Sequence, residues 1–328
     1  MLSQTSAARG IVVLSLGLAL AALLNAEGLR KQAQIQPQGF ERRLALHLTR
    51  PLVTVSRALH LTTPRHELQV AIGREHEDRI DTEVHLGPSP PARPLPLPQQ
   101  PKPHRRHEVK PKFTAAHPLR VWVAGDSLAQ VPGEGIERMS SAPLDVLPVE
   151  SRLSTGLARP DLYNWYTRFR EVIAQLRPKV AVLSFGADDA HDYLTGVPGG
   201  HTVGPLGSPS WNAEYRRRVD GVTRELNAAG IYVVWLGLPI PDGPGFKKSF
   251  PIVNAVLKQV VHEHPTGAAF VDTWHLLDDA HGRYTTYLRV HGQLTLIRLP
   301  DGVHYTGAAG DLIAHDVLAK LQVVYNLN

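Results

Sequence analysis

Two short stretches carry side chains suited to nucleophilic chemistry. Ser127 follows Gly125 and Asp126 in a sequence typical of a turn, and Asp301 precedes His304 by three residues. A serine nucleophile needs a base that accepts its proton and a group that orients the base. We therefore predict Ser127 as nucleophile, His304 as general base and Asp301 as the residue that fixes the imidazole tautomer.

Neither stretch is specific by itself. A Gly-Asp-Ser triplet is common in turns, and an Asp-x-x-His stretch often starts a helix with the aspartate as its N-cap. The two stretches stand at opposite ends of a region whose other elements alternate regularly, and this combination favours catalysis.

The region from residue 119 onward alternates apolar strands with helices. Short apolar runs predict strands at 119–124, 179–184, 231–236 and 268–271. Amphipathic patterns predict helices at 161–176, 213–229, 250–262 and 306–323. This alternation predicts an α/β domain with a mainly parallel sheet, whose functional site lies at the carboxyl ends of the strands.

Four ordered motifs carry a family resemblance: residues 125–128, 152–161 with Gly156, 184–189 and 301–306. The set resembles the SGNH (GDSL-type) hydrolase and acyltransferase superfamily, in particular a membrane-anchored bacterial branch of unassigned function. The resemblance implies a flavodoxin-like three-layer sandwich and no cofactor. It also implies an oxyanion hole built from the backbone N–H groups of Ser127 and Gly156 and a side-chain amide at position 188.

Position 188 departs from the family pattern, because Asp188 stands where the family has asparagine. An ionised aspartate only accepts hydrogen bonds and repels an oxyanion, whereas a protonated one donates a single bond. Losing one oxyanion donor typically costs on the order of a hundred- to a thousand-fold in turnover. The departure leaves three readings: a slower enzyme, an enzyme with an acidic pH optimum, or a domain that kept binding and lost catalysis.

The N-terminal part suggests attachment to a membrane. Residues 7–24 are almost wholly apolar, which predicts a membrane anchor or a signal segment within 1–30. Short amphipathic helices are expected in 31–86, with a break between two of them at Pro51. A Pro-rich linker is expected in 87–118 and the SGNH hydrolase-like catalytic domain in 119–328. We expect a single-pass protein of the cell membrane with an extracytoplasmic catalytic domain or, alternatively, a protein secreted after signal cleavage.

Composition narrows the classes of function. The net charge of +5 resides largely in the first 120 residues, and no nucleic-acid-binding motif accompanies it, so a nucleic-acid partner is not expected. The absence of cysteine excludes a thiol nucleophile and a cysteine-ligated zinc site. Consecutive side chains cannot all face one ion, so we expect no metal at the acidic run Asp188, Asp189, His191 and Asp192.

Together these observations predict a serine esterase or O-acyltransferase. Its expected substrates are small acyl esters, chiefly acetyl esters, of a cell-envelope glycan. The N-terminal helix is expected to attach the protein to the membrane. The alternative is a catalytically impaired domain that serves as an envelope glycan-binding or scaffold protein.

Overall fold

The computed structural model describes residues 2–35, 40–64, 67–68, 84, 86, 113–190, 193–198, 201–325 and 327. The chain forms two compact units, Met1–Thr82 and Glu83–Asn328. Most of the predicted Pro-rich linker, residues 87–112, lies outside the described residues. The second unit includes Val84 and Leu86, which pack with its hydrophobic core ahead of the linker.

The first unit consists of three helices: α1 (Leu2–Leu24), α2 (Ala26–Ile35) and α3 (Phe40–Ala58). The buried Ser56 hydroxyl of α3 donates to the carbonyl of Leu23 over 2.7 Å, and Arg57 pairs with Glu27 over 3.0 Å. These contacts join α3 to α1 and α2, and α3 lies within the region 31–86 where short amphipathic helices were expected.

None of the described helices is long and apolar enough to cross a membrane. The apolar run after Arg9 covers residues 10–24, which is about 22 Å of helix against a hydrocarbon core of roughly 30 Å. The expected membrane-anchoring helix within 1–30 is therefore not supported. Removal of this segment as a secretory signal stays a prediction.

Helix α3 differs from expectation at Pro51, where a break between two helices was predicted. The helix instead continues through Pro51, which is exposed. Proline removes one backbone hydrogen bond and crowds the preceding turn. On a solvent-facing side, water can satisfy the freed carbonyl, so one missing bond need not end the helix.

The second unit is built on a mainly parallel sheet. Its strands are β1 (Leu119–Gly125), β2 (Leu144–Val146), β3 (Glu150–Ser151), β4 (Val180–Ser184), β5 (Tyr232–Leu236) and β6 (Ala268–Val271). The order is β2-β1-β4-β5-β6, with β3 pairing the end of β1, and every pair is parallel. The predicted α/β class with its four apolar strands is confirmed.

Helices cover the sheet in two groups. The first contains α4 (Gln130–Met139) and α9 (Gly307–Tyr325), which pack against each other; the second contains α5 (Trp165–Glu171), α6 (Pro209–Ala228) and α7 (Pro244–Glu263). Every residue of β4 is buried, as expected for a strand covered on both faces. A short helix, α8 (Thr273–Leu276), follows β6.

A separate antiparallel hairpin, β7 (Tyr287–Val290) and β8 (Gln293–Leu296), precedes the last predicted motif. The backbone N–H of Thr306 donates to the carbonyl of Ile297, and the Thr306 hydroxyl donates to that of Leu296. The hairpin is thereby tied to the segment that carries His304.

Candidate active site

Ser127 lies immediately beyond the carboxyl end of β1. A Cβ added to Gly125 would lie 1.9 Å from the carbonyl oxygen of Ser184 on β4, so only glycine allows the strands to approach this closely. Asp126 then caps the 3₁₀ turn Ser127–Ala129 by accepting the N–H of Leu128 over 2.9 Å. The turn leaves Ser127 half-buried at the end of the sheet.

The three predicted catalytic side chains meet in one hydrogen-bonded row. The Oγ of Ser127 lies 2.8 Å from Nε2 of His304, and Nδ1 of His304 lies 2.8 Å from Oδ2 of Asp301. Because a carboxylate only accepts, the proton belongs on Nδ1, which leaves Nε2 free to accept the serine proton. This geometry is that of a nucleophile, a base and an orienting carboxylate.

Asp301 is held by the turn it starts. Its Oδ1 accepts the N–H groups of Val303 and His304 over 2.8 and 2.9 Å. Partial burial acts to raise the pKa of Asp301, but these N–H groups and His304 outweigh it, so the pKa lies below its ordinary value. The carboxylate therefore stays ionised well into the acidic range, where it keeps orienting the imidazole.

Arg298, which sequence reasoning missed, supports the same turn through hydrogen bonds. This buried arginine donates from Nη1 to the carbonyl of Val303 and from Nη2 to that of Ile240, each over 3.3 Å. Its guanidinium carbon also lies 5.2 Å from the ring centre of Tyr305. Arg298 thus links the turn that carries His304 to the segment that follows β5.

A second carboxylate, that of Asp126, connects Ser127 to the motif after β4. Its Oδ2 accepts the N–H groups of Gly186 and Ala187, each over 3.1 Å. Complete burial, followed by the nearby Asp188 carboxyl, raises the pKa of Asp126 well above its ordinary value. The half-buried Asp188 therefore lies close to the turn that carries Ser127, and we call this part of the site the oxyanion corner.

Asp189 packs directly against Gly156 and places it near the oxyanion corner. A Cβ added to Gly156 would lie 1.9 Å from Oδ1 of Asp189, and the same oxygen accepts the N–H of Ala158 over 2.7 Å. Burial raises the pKa of Asp189, although the Tyr215 hydroxyl and the N–H of Ala158 oppose the shift. Asp189 follows Asp188 directly, so the two predicted oxyanion positions, Gly156 and Asp188, are linked through one residue.

Sequence reasoning assigned no role to Asp126, Asp189 or Arg298. The first two stand inside the motifs and are completely buried, a property that a motif does not reveal. Within the described residues no group of three or more His, Asp or Glu side chains is placed to hold a metal ion. His191 and Asp192 of the acidic run lie outside those residues.

Comparisons with solved structures find chains of low sequence identity. A catalytic mutant of an acetylxylan esterase from Geobacillus stearothermophilus is 13% identical, with a TM-score of 0.44, over 62% of this chain and 93% of that one. A GDSL-like lipase from Bacteroides thetaiotaomicron is 15% identical, with a TM-score of 0.43, over 62% and 88%. An esterase from Pseudoalteromonas sp. is 12% identical, with a TM-score of 0.41, over 63% and 99%.

No curated protein matches the sequence. A family model described as a protein of unknown function, DUF459, matches residues 120–320, which include all four motifs and the Ser127, His304 and Asp301 row. The four motifs that resemble the SGNH superfamily all lie within this match. The chain belongs to the DUF459 family.

Proposed function

We propose that the protein cleaves or transfers small acyl esters, chiefly acetyl esters, carried by a cell-envelope glycan. The observation that carries the proposal is the row formed by Ser127, His304 and Asp301, with 2.8 Å at each of its two hydrogen bonds. The His304 and Asp301 side chains are 39% and 48% exposed, so a bulky polymer carrying a small acyl group can reach them.

The reaction follows from these positions. Oγ of Ser127 attacks the acyl carbonyl while its proton passes to Nε2 of His304, and Asp301 stabilises the imidazolium that forms. The tetrahedral intermediate collapses when the leaving alcohol oxygen takes that proton, which leaves an acyl-serine. Water or a sugar hydroxyl then gives its proton to Nε2 and attacks the acyl carbon, and the proton returns to Ser127. Water makes the protein an esterase, and a sugar hydroxyl makes it an acyltransferase.

The oxyanion formed in both steps needs hydrogen-bond donors. We assign the backbone N–H groups of Ser127 and Gly156 to this role, together with Asp188 in its protonated form. Two carboxyls in one corner resist double ionisation, and three backbone N–H groups favour the ionised form of Asp126. Burial and the Asp188 carboxyl outweigh those N–H groups and raise the pKa of Asp126, so the pair keeps one proton above the ordinary aspartate range. When that proton resides on Asp188, the Asp188 O–H is the third donor.

Asp188 also favours a second candidate function. If both carboxyls at this corner were ionised, the oxyanion would meet a negative charge and the site would bind an acylated glycan without turning it over. The two candidates differ in the reactivity of Ser127.

The deciding experiment measures hydrolysis of p-nitrophenyl acetate by the full chain and by Ser127→Ala, together with labelling by a fluorophosphonate probe. Enzymatic function predicts turnover and labelling that both disappear in the variant. If neither protein hydrolyses the ester or reacts with the probe, and an acetylated glycan still binds, the binding function would be established instead. Adding a soluble oligosaccharide acceptor separates the esterase from the acyltransferase, because only the latter yields an acetylated sugar.

A further inference from the structure

We infer that Asp189 and Tyr215 are positioning residues that aim the oxyanion loop, defined as residues 156–158, at the reacting carbonyl. The inference rests on the proposed function, because it assigns these two side chains to the geometry of that same site. Neither residue is placed to touch the substrate, so each would act through the backbone of the loop.

Asp189 lies directly against the oxyanion loop. Its Oδ1 accepts the N–H of Ala158 over 2.7 Å and occupies the space that a Cβ on Gly156 would need. The side chain is completely buried, so water does not compete for this bond. The direction of the loop's N–H groups therefore depends on where the Asp189 carboxylate points.

Tyr215 of α6 determines where that carboxylate points. Its hydroxyl donates to Oδ2 of Asp189 over 2.7 Å, and Tyr215 is itself completely buried. The Tyr215 ring stacks on Trp211, with ring centres 4.8 Å apart and planes at 22°. With one oxygen bonded to the loop and the other to a fixed ring, the carboxylate cannot turn without breaking a hydrogen bond.

Arg218, one turn further along α6, holds the carbonyl side of the same loop. Its Nη1 donates to the carbonyls of Leu157 and Ala158 over 2.8 and 3.1 Å, and its Nε pairs with Glu214 over 2.8 Å. Buried charged groups thus hold both the N–H and the C=O side of the loop. Oxyanion donors fixed before the substrate arrives need no reorganisation during the reaction, which is how such donors accelerate it.

Tyr215→Phe tests the inference because it removes one hydroxyl and leaves the stacked ring. The matched control is Thr223→Val, on the same helix, where a completely buried hydroxyl accepts the indole N–H of Trp235 over 3.1 Å. Tyr215→Phe loses one buried hydrogen bond and Thr223→Val loses two, but neither of the Thr223 bonds involves the loop. For each we would measure kcat and KM on p-nitrophenyl acetate, the Kd for phenylboronic acid, the Tm and amide exchange in the 156–158 peptide.

Positioning predicts that Tyr215→Phe lowers kcat roughly 10- to 100-fold, the scale of a misplacement by a fraction of an ångström to 1 Å. KM should stay within about twofold, and boronic acid binding should weaken with kcat, since a tetrahedral boronate uses the oxyanion donors. Exchange in the 156–158 peptide should become faster. Thr223→Val should lower the Tm while leaving kcat and loop exchange unchanged.

Unchanged kcat and loop exchange in a folded Tyr215→Phe protein would overturn the inference, whatever the Tm. An equal loss of kcat in both variants would also overturn it, because the effect would then be general. If the wild type has no activity and no probe labelling, the proposed function fails, and loop exchange alone decides whether Tyr215 positions the loop. Should Tyr215→Phe fail to fold, Asp189→Asn is the second variant, with the same expected direction in kcat and exchange.

Discussion

The Asp126 carboxylate accepts the backbone N–H of Ala187 over 3.1 Å. Asp126 directly precedes the nucleophile Ser127, and Ala187 directly precedes Asp188, so this bond joins the two segments. Two turns that are about sixty residues apart in the chain are thereby fixed to each other by a buried carboxylate. The nucleophile and the candidate oxyanion donor are thus arranged before any substrate binds. The site pays no free energy to assemble them during the reaction.

Replacing Asp188 by asparagine should change how turnover depends on pH. The pKa of Asp126 is raised by burial and by Asp188, so the pair keeps one proton above the ordinary aspartate range and loses it as the pH rises. Wild-type kcat should therefore fall on the alkaline side, whereas Asp188→Asn keeps its donor and should exceed it there by roughly 10²- to 10³-fold. Profiles of kcat between pH 5 and 10 measure this.

The control for that experiment is Asp188→Leu, which has a similar size and neither charge nor donor. It should be slower than Asp188→Asn at every pH and should lack the alkaline fall. Parallel profiles for wild type and Asp188→Asn would contradict the assignment of the proton to Asp188.

Asp301→Asn should reduce kcat by roughly 10²- to 10⁴-fold with little change in the fold. Oδ1 of Asp301 accepts two backbone N–H groups, so the asparagine oxygen will take that place and its NH₂ will face Nδ1 of His304. This arrangement favours the tautomer with its proton on Nε2, which cannot accept the Ser127 proton. Steady-state kinetics near neutral pH check the prediction, and a loss below tenfold would contradict the orienting role.

The sequence predicted the elements that bury most apolar surface. Strands β1, β4 and β5 appeared as short apolar runs because they lie inside the sheet, and parallel strands covered on both faces show no polar alternation. Strand β6 lies at the edge of the sheet and was predicted from its own short apolar run. The hairpin β7–β8 was not predicted, because it lies outside this sheet and much of it is exposed. Its turn at His291 and Gly292, both with positive φ, was its available signal.

The boundaries of helices were less predictable than their presence. The helix expected at 161–176 begins at Trp165, because Asn164 caps it, and its last turn, Val172–Leu176, is π-helical. The helix expected at 213–229 begins at Pro209, where Ser208 provides the cap. At the site, the motifs identified Ser127, Asp301 and His304. The bracing by Asp126, Asp189 and Arg298 depends on contacts between distant segments, which a motif does not contain.

Gly156→Ala should destabilise the protein and reduce kcat. The added methyl group would lie 1.9 Å from Oδ1 of Asp189, a completely buried atom that cannot move away without losing its own hydrogen bonds. Overpacking of this kind typically costs about 1–3 kcal/mol. The control is Gly307→Ala near His304, where an added Cβ meets nothing within 4 Å. Thermal unfolding and kcat are the measurements, and equal Tm values for the two variants would contradict the prediction.

Arg298→Lys should lower kcat by about tenfold while KM stays the same. Lysine keeps the charge, but it lacks the two-pronged guanidinium that donates to the carbonyls of Val303 and Ile240 at the same time. The turn that carries His304 is therefore held less firmly. Arg289→Lys, on the exposed face of the hairpin, is the matched control and should have no effect. Equal kcat values for the two variants would show that the two Arg298 hydrogen bonds do not matter to the reaction.

The contact between α4 and α9 has a consequence for the nascent chain during synthesis. A Cβ added to Gly135 of α4 would lie 2.8 Å from the carbonyl oxygen of Gly310 on α9, so the two helices meet almost backbone to backbone. His304 stands just ahead of α9, the last described helix, and domains emerge from the ribosome N-terminal end first. A growing chain therefore carries Ser127 long before His304 is made, and the hydrogen-bonded row of Ser127, His304 and Asp301 can form only after residue 304 has left the ribosome.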